Sequence, residues 1–596
     1  MQRWRCAGLL GAGLLGLVAQ IHGDPAMERP LAIRYHIDII DPARGLVRAL
    51  VAIEFEKDQR ELELVDAAAA RFQSNGVPRP RPQCLQCTAR GADGRELSCS
   101  TDGEGTVKVD LDGRNSAVVE RTLRFLDRSS GVAPHHPWAS SLTGSSALFY
   151  GGDLALVPRD PEYDAGVEVQ FIVPDGWKVL SPWGRETRFS PPDLRSLSDN
   201  FFLAAKDFSA AGRTIGSMQF LVAGPSDWME AGGLGVGDEV FELLESALDT
   251  FGDLDAGRYA IFLLPLSGTS HRRGLLHRGA NAKGSLVAYV DHRDSVEAGD
   301  HPLSVVAHEI VHWWNPRSLR PMKNGMPAWF TEGLTSYYEK LLLLRSGVIG
   351  WDELAQAMVD EWSLSGEKIP SGREISLEEA CERFGEDPVC TTLAYARGAC
   401  LGFAVDLWMR EHSEGWVSLD SWMRSLLRRS NDGAQSESAP TFLSDLWSLA
   451  GAESLTVLRQ WLTARETVPI EHALGRLGYR VERRARAQLG IRLEAGPNTT
   501  VGELVSDGPA AACLQTGDVI LTLDGLDAST PLQYRKVLFA LEPDRDVEVR
   551  IRRGEEEMSL RVRLGSRLEP RAIPLEQLGA EHWMQRTSLE NPFEGK

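Results

Sequence analysis

The residue types best suited to catalysis are concentrated at residues 308–312, where the sequence reads His-Glu-Ile-Val-His. If this stretch is helical, His308 and His312 lie one turn apart on the same face. Two neutral imidazoles at that separation can bind one Zn²⁺, and Glu309 between them can reach the water that the metal polarises. The apolar run 302–307, which begins with a proline, predicts a buried helix that carries both histidines.

A third metal ligand is predicted in the next apolar segment, residues 328–338, which reads as a second buried helix and contains Glu332. A carboxylate from a neighbouring helix is a common third ligand in catalytic zinc sites, with water in the fourth position. The sequence therefore predicts one Zn²⁺ per chain, bound by His308, His312 and Glu332. Glu309 is then the general base of a hydrolytic reaction. The alternative is a core helix in which the two histidines have only a structural role.

Length and charge limit the classes of protein that fit this prediction. A chain of 596 residues is too long for one hydrophobic core, so we expect three or more domains. A hydrophobic content of 43% and a charged content of 25% are typical of globular proteins. The net charge of -20 argues against binding to nucleic acid or to an anionic membrane surface.

The first 23 residues predict a signal peptide or an N-terminal anchor. Arg3 and Arg5 precede an apolar run at residues 6–19, and polar residues resume at 22–24. We therefore expect an exported protein, periplasmic or extracellular. Because no A-x-A cleavage site is visible, an uncleaved segment that anchors the protein in a membrane is the alternative.

Residues 24–215 predict a β-sandwich domain. Apolar and polar residues alternate in stretches such as 33–39, 50–55 and 167–173, and Gly, Pro and Asp occupy the turns between them. Short strands with this patterning favour two antiparallel sheets packed face to face.

Residues 216–470 predict an α+β domain followed by a helical lobe. An amphipathic helix pattern covers 238–251, buried strands are predicted at 259–264 and 285–290, and the strongest later helix pattern covers 393–410. A cleft between the two lobes is the expected location of the metal site.

The C-terminal part predicts a small β-rich unit at residues 486–566, preceded by a basic linker at 471–485. Within it, residues 505–525 resemble the PDZ-domain signature. The final stretch, 567–596, is polar without a clear period, and we expect it to be poorly ordered.

The resemblance to PDZ domains implies a peptide partner. Such domains bind a C-terminal peptide by strand addition, and backbone amides of the loop Leu489, Gly490 and Ile491 would receive its carboxylate. The alternative is a PDZ unit that only packs on the catalytic domain and binds no peptide.

The chain as a whole resembles the glycyl aminopeptidase family of gluzincin peptidases over residues 30–566. The matching motifs are H-E-I-V-H-W-W-N-P-R-S-L-R-P, W-F-T-E-G-L-T-S-Y-Y, Y-A-R-G-A and the PDZ signature. The resemblance implies an N-terminal β domain, a thermolysin-like catalytic domain and a C-terminal PDZ domain. It also implies that Tyr395 donates a hydrogen bond to the oxyanion that develops in the transition state.

One stretch departs from the family pattern. Relatives carry G-G-L-E-H before the metal-binding helix, and its Glu is expected to bind the α-ammonium group of the substrate. The matching residues here, predicted to bind substrate, are Gly274, Leu275, Leu276 and His277, so that Leu276 replaces the Glu. Leucine cannot pair with an ammonium group. We therefore predict cleavage within peptides or of blocked N-termini; replacement of the lost carboxylate by Asp291 or Glu297 is the alternative.

A second hypothesis belongs to another class of protein. The chain would be a peptide-binding PDZ protein whose peptidase domain is catalytically vestigial. The intact set of predicted metal ligands, Glu309 and Tyr395 argues against it. Metal content and the effect of Glu309→Gln on hydrolysis separate the two hypotheses.

Overall fold

The computed structural model describes most of the chain with defined gaps. It covers residues 30–68, 81–102, 105–125, 138–159, 166–231, 236–254, 257–265, 279–290, 301–319, 325–367, 374–431, 453, 456–466, 468–494 and 498–590. The predicted signal segment and the predicted substrate-binding residues Gly274, Leu275, Leu276 and His277 lie outside these ranges. Within them, no helix has the length and apolar character needed to span a bilayer.

The N-terminal domain consists of two sheets, as the alternating pattern predicts. The larger sheet has nine strands and the smaller has four. The strands are β1 (Pro30–Asp41), β2 (Leu46–Asp66), β3 (Gln83–Arg90), β4 (Glu96–Leu97), β5 (Cys99–Thr101), β6 (Thr106–Arg124), β7 (Ser141–Leu142), β8 (Ser146–Tyr150), β9 (Leu156–Pro158), β10 (Gly166–Ile172), β11 (Lys178–Leu180), β12 (Arg188–Phe189) and β13 (Phe201–Ala205).

The strand order of the larger sheet is β12-β10-β1-β2-β6-β3-β4, with β5 also paired to β6 and β9 to β2. The order of the smaller sheet is β11-β13-β8-β7. Alternate residues of β2, from Val47 to Phe55, are buried against side chains of the smaller sheet such as Phe149 and Phe202. The described part of the domain also contains the short helical segments Pro42–Arg44, Gly151–Leu154 and Leu194–Ser198. The predicted β-sandwich is thus confirmed, but the prediction that both sheets are antiparallel is wrong at one pair, because β1 and β10 are parallel.

A five-stranded sheet follows, and it supports the helix that contains His308. Its strands are β14 (Ser209–Ile215), β15 (Met218–Gly224), β16 (Arg258–Pro265), β17 (Gly279–Asn281) and β18 (Ser285–Val290), in the order β14-β15-β16-β18-β17. Strands β15, β16 and β18 are parallel, and most of their residues are apolar and buried. The antiparallel strand β17 forms the edge nearest that helix. By its hydrogen bonds β14 belongs to this sheet, so the second domain begins near residue 209.

The helical lobe shares one hydrophobic core with this sheet. Two helices flank the sheet, Ser226–Ala231 and Val236–Phe251. The helix with His308, here called the ligand helix, spans Ser304–Val311. The helix that carries Glu332 begins as a π-helical turn, Trp329–Gly333, and continues over Leu334–Arg345. The tyrosine helix, Pro388–His412, contains Tyr395. Further helices in the described part of the lobe are Trp351–Glu367, Leu377–Glu382 and Leu419–Asn431.

The C-terminal part contains a two-stranded ribbon and a compact six-stranded sheet. The strands are β19 (Tyr479–Gln488), β20 (Ile491–Leu493), β21 (Thr499–Leu504), β22 (Val519–Leu523), β23 (Leu526–Asp527), β24 (Asp546–Arg553), β25 (Glu556–Arg563) and β26 (Gly565–Pro574). The sheet has the order β20-β21-β22-β24-β25, with β23 paired to β22. The helix Pro531–Ala540, capped by Thr530, packs on it and closes a separate core.

The prediction of a linker at residues 471–485 is wrong. A helix covers Ile470–Arg476, and β19 pairs with β26 along ten residues. The ribbon lies on the helix Trp351–Glu367, where the Tyr479 hydroxyl donates to Asp352 at 2.6 Å and the Ala572 amide donates to Gln356 at 3.2 Å. The basic sequence of β19 did not indicate a strand, because its partner β26 begins only at Gly565.

The prediction of a poorly ordered tail at 567–596 is also wrong for its described part. Residues up to Pro574 belong to β26, and a C-terminal helix spans Ala580–Glu590. Leu589 of this helix is fully buried, and the Arg345 guanidinium donates to its carbonyl at 3.0 Å. The Trp351 indole donates to Glu590 at 2.8 Å. Burial of Leu589, together with these polar contacts, holds the helix in place.

Candidate active site

The ligand helix places both predicted histidines beside one another. His308 lies within it, and His312 caps its C-terminus with a helical backbone and an amide that donates to the His308 carbonyl at 3.3 Å. The two imidazole rings are 4.8 Å apart between centroids. Val306, Ile310 and Val311 on the other side of the helix are buried in the core, so the apolar residues orient the histidines away from it.

Glu332 reaches the same point from the π-helical turn. One carboxylate oxygen, Oε2, lies 3.5 Å from Nε2 of His308 and 3.5 Å from Nε2 of His312. The three side chains retain exposed fractions of 14%, 16% and 19%, so small molecules can reach them. A π-helical turn is rare and often occurs at functional sites.

The donor geometry fits a zinc ion. Within the described residues, His308, His312 and Glu332 form the one group of three metal-binding side chains whose donor atoms all lie within 4.8 Å of one another. Ligands about 2.0–2.1 Å from a tetrahedral Zn²⁺ are about 3.4 Å from each other. The two 3.5 Å separations match that requirement.

The other nitrogen of each imidazole is already engaged. Nδ1 of His308 lies 3.2 Å from Oε2 of Glu339, and Nδ1 of His312 lies 2.8 Å from the Asn315 carbonyl oxygen. The Asn315 side chain in turn donates to the Phe330 carbonyl at 2.7 Å. These contacts fix both rings with Nε2 directed toward Glu332, as metal-binding histidines require.

The carboxylates of the cluster favour positive charge at His308. Burial opposes the charged form of His308, yet hydrogen bonds and charge from Glu332 and Glu339 raise the pKa of His308 to about 10. Burial also opposes ionisation of Glu332, but the two histidines hold the pKa of that carboxyl well below its usual range. Buried carboxylates with no full complement of positive charge are costly, and a divalent metal supplies that charge.

Glu309 is buried between the ligand helix and the edge strand β17. Burial raises the pKa of Glu309 above that of an ordinary glutamate, although the neighbouring His312 and His308 oppose the shift. A raised pKa suits a group that must accept a proton and return it near neutral pH. The backbone carbonyl of Glu309 accepts a hydrogen bond of 2.7 Å from the side chain of Asn281.

Tyr395 lies beside the predicted metal ligands. Its ring is 6.0 Å from that of His308 between centroids, and its hydroxyl hydrogen-bonds the Glu332 carboxylate. Burial and the adjacent negative charge raise the pKa of Tyr395 well above its usual value. The hydroxyl therefore stays protonated and can act as a donor.

Sequence reasoning missed three residues that support the site: Asn281, Asn315 and Glu339. Glu339 lies seven residues after Glu332, on the helix that follows the π-helical turn, and it is buried. A buried glutamate at that spacing is a detectable signal, because a charged residue in a core needs a partner. The two asparagines act through contacts that no sequence spacing reveals.

The structure describes the predicted PDZ loop but not the predicted substrate-binding residues 274–277. Gly490 has a left-handed backbone, φ 70°, and a Cβ there would lie 2.8 Å from the Gly508 Cα. The Leu489 carbonyl accepts from the Ala510 amide at 3.0 Å, and the Gly490 carbonyl accepts from the Val505 amide at 2.9 Å. The loop thus turns tightly into Ile491, the first residue of β20.

Comparison with known families gives two matches. Residues 301–392 match the family model of the M61 glycyl aminopeptidases, and residues 475–564 match the PDZ-domain model. The resemblance predicted from the sequence is confirmed. The first match contains the ligand helix and Glu332, and the second contains β20–β25 with their helix.

Solved structures similar to this chain include an aminopeptidase N family protein and an M1 zinc metallopeptidase. An aminopeptidase N family protein from Idiomarina loihiensis is 19% identical, with 94% of this chain and 99% of that chain covered and a TM-score of 0.66. An M1 zinc metallopeptidase from Deinococcus radiodurans is 15% identical, with 74% of this chain and 95% of that chain covered and a TM-score of 0.47. A search of curated protein sequences gives no match. The first likeness establishes a shared multidomain architecture.

Proposed function

We propose that the protein is an exported zinc-dependent metallopeptidase. The observation that carries this proposal is the convergence of His308, His312 and Glu332 at 3.5 Å separations, with Glu309 buried on the same helix. A bound Zn²⁺ would supply Lewis-acid polarisation of the scissile carbonyl and of the attacking water. The N-terminal sequence, which resembles a signal peptide, supports export.

The residues of the chain carry the proton transfers. Glu309 accepts a proton from the attacking water and returns it to the amine that leaves. Tyr395, kept protonated by burial and by Glu332, donates a hydrogen bond to the oxygen on which negative charge develops. Glu339 keeps the His308 imidazole in the tautomer that leaves Nε2 free to bind the metal.

The proposed cleavage is not restricted to free N-termini, because Leu276 replaces the glutamate that binds the α-ammonium group in relatives. Digestion of matched free and N-acetylated peptide libraries, followed by product sequencing, tests this. We expect comparable cleavage of both libraries and no cleavage after chelation of the metal. Cleavage confined to free N-termini contradicts the proposed specificity, and an absence of any cleavage contradicts the proposed activity.

A designed pair of variants sharpens the test of specificity. Leu276→Glu restores the carboxylate at the matching position and should shift cleavage toward free N-termini. Leu275→Glu adds the same charge one residue earlier and serves as the matched control, since it should not produce that preference. Equal effects of both substitutions contradict the assignment of position 276.

The PDZ unit is proposed to bind the C-terminal peptide of a substrate or partner through Leu489, Gly490 and Ile491. The close packing of Gly490 on Gly508, which supports this loop, leaves no room for a side chain. Binding of a library peptide with a free carboxylate, compared with its C-terminal amide, tests the proposal. Equal affinities contradict recognition of the carboxylate.

A further inference from the structure

Gly279, the first residue of the edge strand β17, is packed against the side chain of Glu309. A Cβ built on Gly279 would lie 2.6 Å from Oε1 and 2.8 Å from Cδ of Glu309, and it would also collide with Cγ. Real Cβ atoms do not approach other heavy atoms so closely. The three nearest atoms all belong to Glu309, so this side chain occupies the space that any residue other than glycine would need.

The backbones of Gly279 and Glu309 are held together, and the Glu309 side chain is confined by burial. Glu309 is buried, with 7% of its surface exposed, and its backbone carbonyl is bound by the Asn281 amide at 2.7 Å. Gly279 and Asn281 belong to the same three-residue strand, which pairs with β18. The ligand helix and β17 are therefore joined on one side by a hydrogen bond and on the other by direct contact.

Arg317 holds β17 in place through hydrogen bonds to Asn281. Its Nε donates to the Asn281 side chain at 2.8 Å, Nη2 donates to the Asn281 carbonyl, and Nη1 donates to Asp199 at 2.9 Å. Asp199 comes from the N-terminal domain, so a hydrogen-bonded chain runs from that domain to Glu309. Such a hydrogen-bonded chain restricts the movement of β17 away from the Glu309 side chain.

The N-terminal domain also binds the turn between β17 and β18. The Lys283 amide donates to the Asp199 carbonyl at 3.0 Å, and the Gly284 amide donates to the Asn200 side chain at 2.9 Å. The Ser285 hydroxyl donates to the same Asn200 oxygen at 2.8 Å. The edge strand is thus held between two domains, and its distance from the ligand helix is set by both.

We propose that Gly279 is the positioning residue for the general base: the lack of a side chain at this point of β17 lets the Glu309 carboxylate lie between the strand and the two histidines. Asn281, supported by Arg317 and Asp199, maintains that spacing. The inference rests on the proposed peptidase function for its catalytic consequence, whereas the packing relationship stands independently of it.

A double-substitution experiment tests the proposal. Gly279→Ala is made in the wild-type protein and in Glu309→Ala, which deletes all three atoms that the added methyl group would meet. The thermal unfolding midpoint, the zinc content and the kcat and KM for a peptide are measured for each protein. Gly212→Ala is the matched control, because it lies in β14 at the opposite end of the sheet, where a Cβ has an ordinary contact of 3.6 Å.

In the wild-type background, Gly279→Ala must displace Glu309 or strain the strand. We expect kcat to fall about 100-fold with KM little changed, as for a misplaced catalytic group. If Glu309 resists displacement, the midpoint falls instead by at least about 3 °C. In the Glu309→Ala background the same substitution should leave the midpoint unchanged, and Gly212→Ala should change neither quantity.

Two results would overturn the proposal. The first is a Gly279→Ala protein whose kcat and midpoint both equal those of the wild type. The second is an equal fall in midpoint in both backgrounds, since the damage would then not depend on Glu309. Unchanged hydrolysis in Glu309→Ala alone would instead reject the proposed function. The thermal midpoints would still show whether Gly279 packs against Glu309.

Discussion

The backbones of Gly333 and Gly398 are in direct contact. A Cβ built on Gly333 would lie 2.5 Å from the Gly398 Cα, and one built on Gly398 would lie 2.6 Å from the Gly333 Cα. Gly333 follows the proposed metal ligand Glu332, and Gly398 lies one helical turn after Tyr395. This contact explains how the hydroxyl of Tyr395 comes within hydrogen-bonding distance of the Glu332 carboxylate.

Substitution of Gly398 by alanine should force the two helices apart. Overpacking of this kind typically costs about 1–3 kcal/mol, so we expect a lower thermal midpoint together with a lower kcat. Gly475→Ala is the matched control, because Gly475 is also helical and has open space around its Cβ position. A Gly398→Ala protein as stable and as active as Gly475→Ala would show that the contact does not set the helix spacing.

Tyr395→Phe removes the proposed oxyanion donor and keeps the ring. Loss of one such donor typically lowers kcat by about 100- to 1000-fold, and we expect that loss with KM and zinc content nearly unchanged. Tyr534→Phe, in the buried core of the PDZ unit, is the control and should leave hydrolysis intact. A kcat for Tyr395→Phe within a factor of about three of the wild type would reject the role of the hydroxyl.

Stability at low pH should depend on Asp420. Burial opposes its ionisation, but the Arg345 and Arg410 guanidinium groups, at 2.7 and 2.8 Å, hold the pKa of Asp420 below its usual value. A carboxylate whose pKa is lower in the folded state stabilises the fold above the unfolded pKa, near about 3.9. That contribution decreases as the pH falls from there through the folded pKa.

The corresponding test compares Asp420→Asn with the wild type at pH 7 and at pH 3. Removal of one partner from a buried ion pair typically costs about 3–5 kcal/mol, so the variant should have the lower thermal midpoint at pH 7. The difference in thermal midpoint between the two proteins should be smaller at pH 3. Asp58 is exposed, so Asp58→Asn is the control, and its thermal midpoint should equal that of the wild type at both pH values. A difference in midpoint between Asp420→Asn and the wild type that is the same at both pH values contradicts the stabilising role of the Asp420 charge.

The C-terminal helix should contribute to the stability of the catalytic domain. Leu589 is 0% exposed, whereas Met584 of the same helix is 66% exposed. Leu589→Ala should cost about 2–5 kcal/mol, while Met584→Ala should stay within about 0.5 kcal/mol. Thermal unfolding of the two variants measures the difference. Equal midpoints would mean that the helix does not dock in solution.

Features encoded locally were predictable from the sequence. The histidine spacing at 308 and 312 required only helical periodicity, and the alternation of apolar and polar residues in β2 was enough to indicate its buried face. Tyr395 required the family resemblance, because a tyrosine on an apolar helix is usually a core residue. The candidate metal centre and the general domain architecture therefore followed from sequence.

Features that depend on distant contacts were not predictable. The strand β19 reads as a basic connector, because its partner β26 is remote in sequence and three of its arginines, Arg480, Arg484 and Arg486, pair with glutamates of the ribbon. The C-terminal helix is held partly by Arg345, whose hydrogen bond has no sequence signature. Gly279 looks unremarkable in sequence, and its close approach to Glu309 becomes visible only in three dimensions.

Glu309 is proposed to act as the general base of a zinc peptidase whose metal ligands are His308, His312 and Glu332. The most direct measurement is the rate of peptide hydrolysis by the wild type and by Glu309→Gln, with bound zinc determined in the same samples. We predict one zinc per chain in both proteins and a loss of hydrolysis of at least about 100-fold in the variant. Equal rates in the two proteins, or a wild-type protein that binds no zinc, would contradict it.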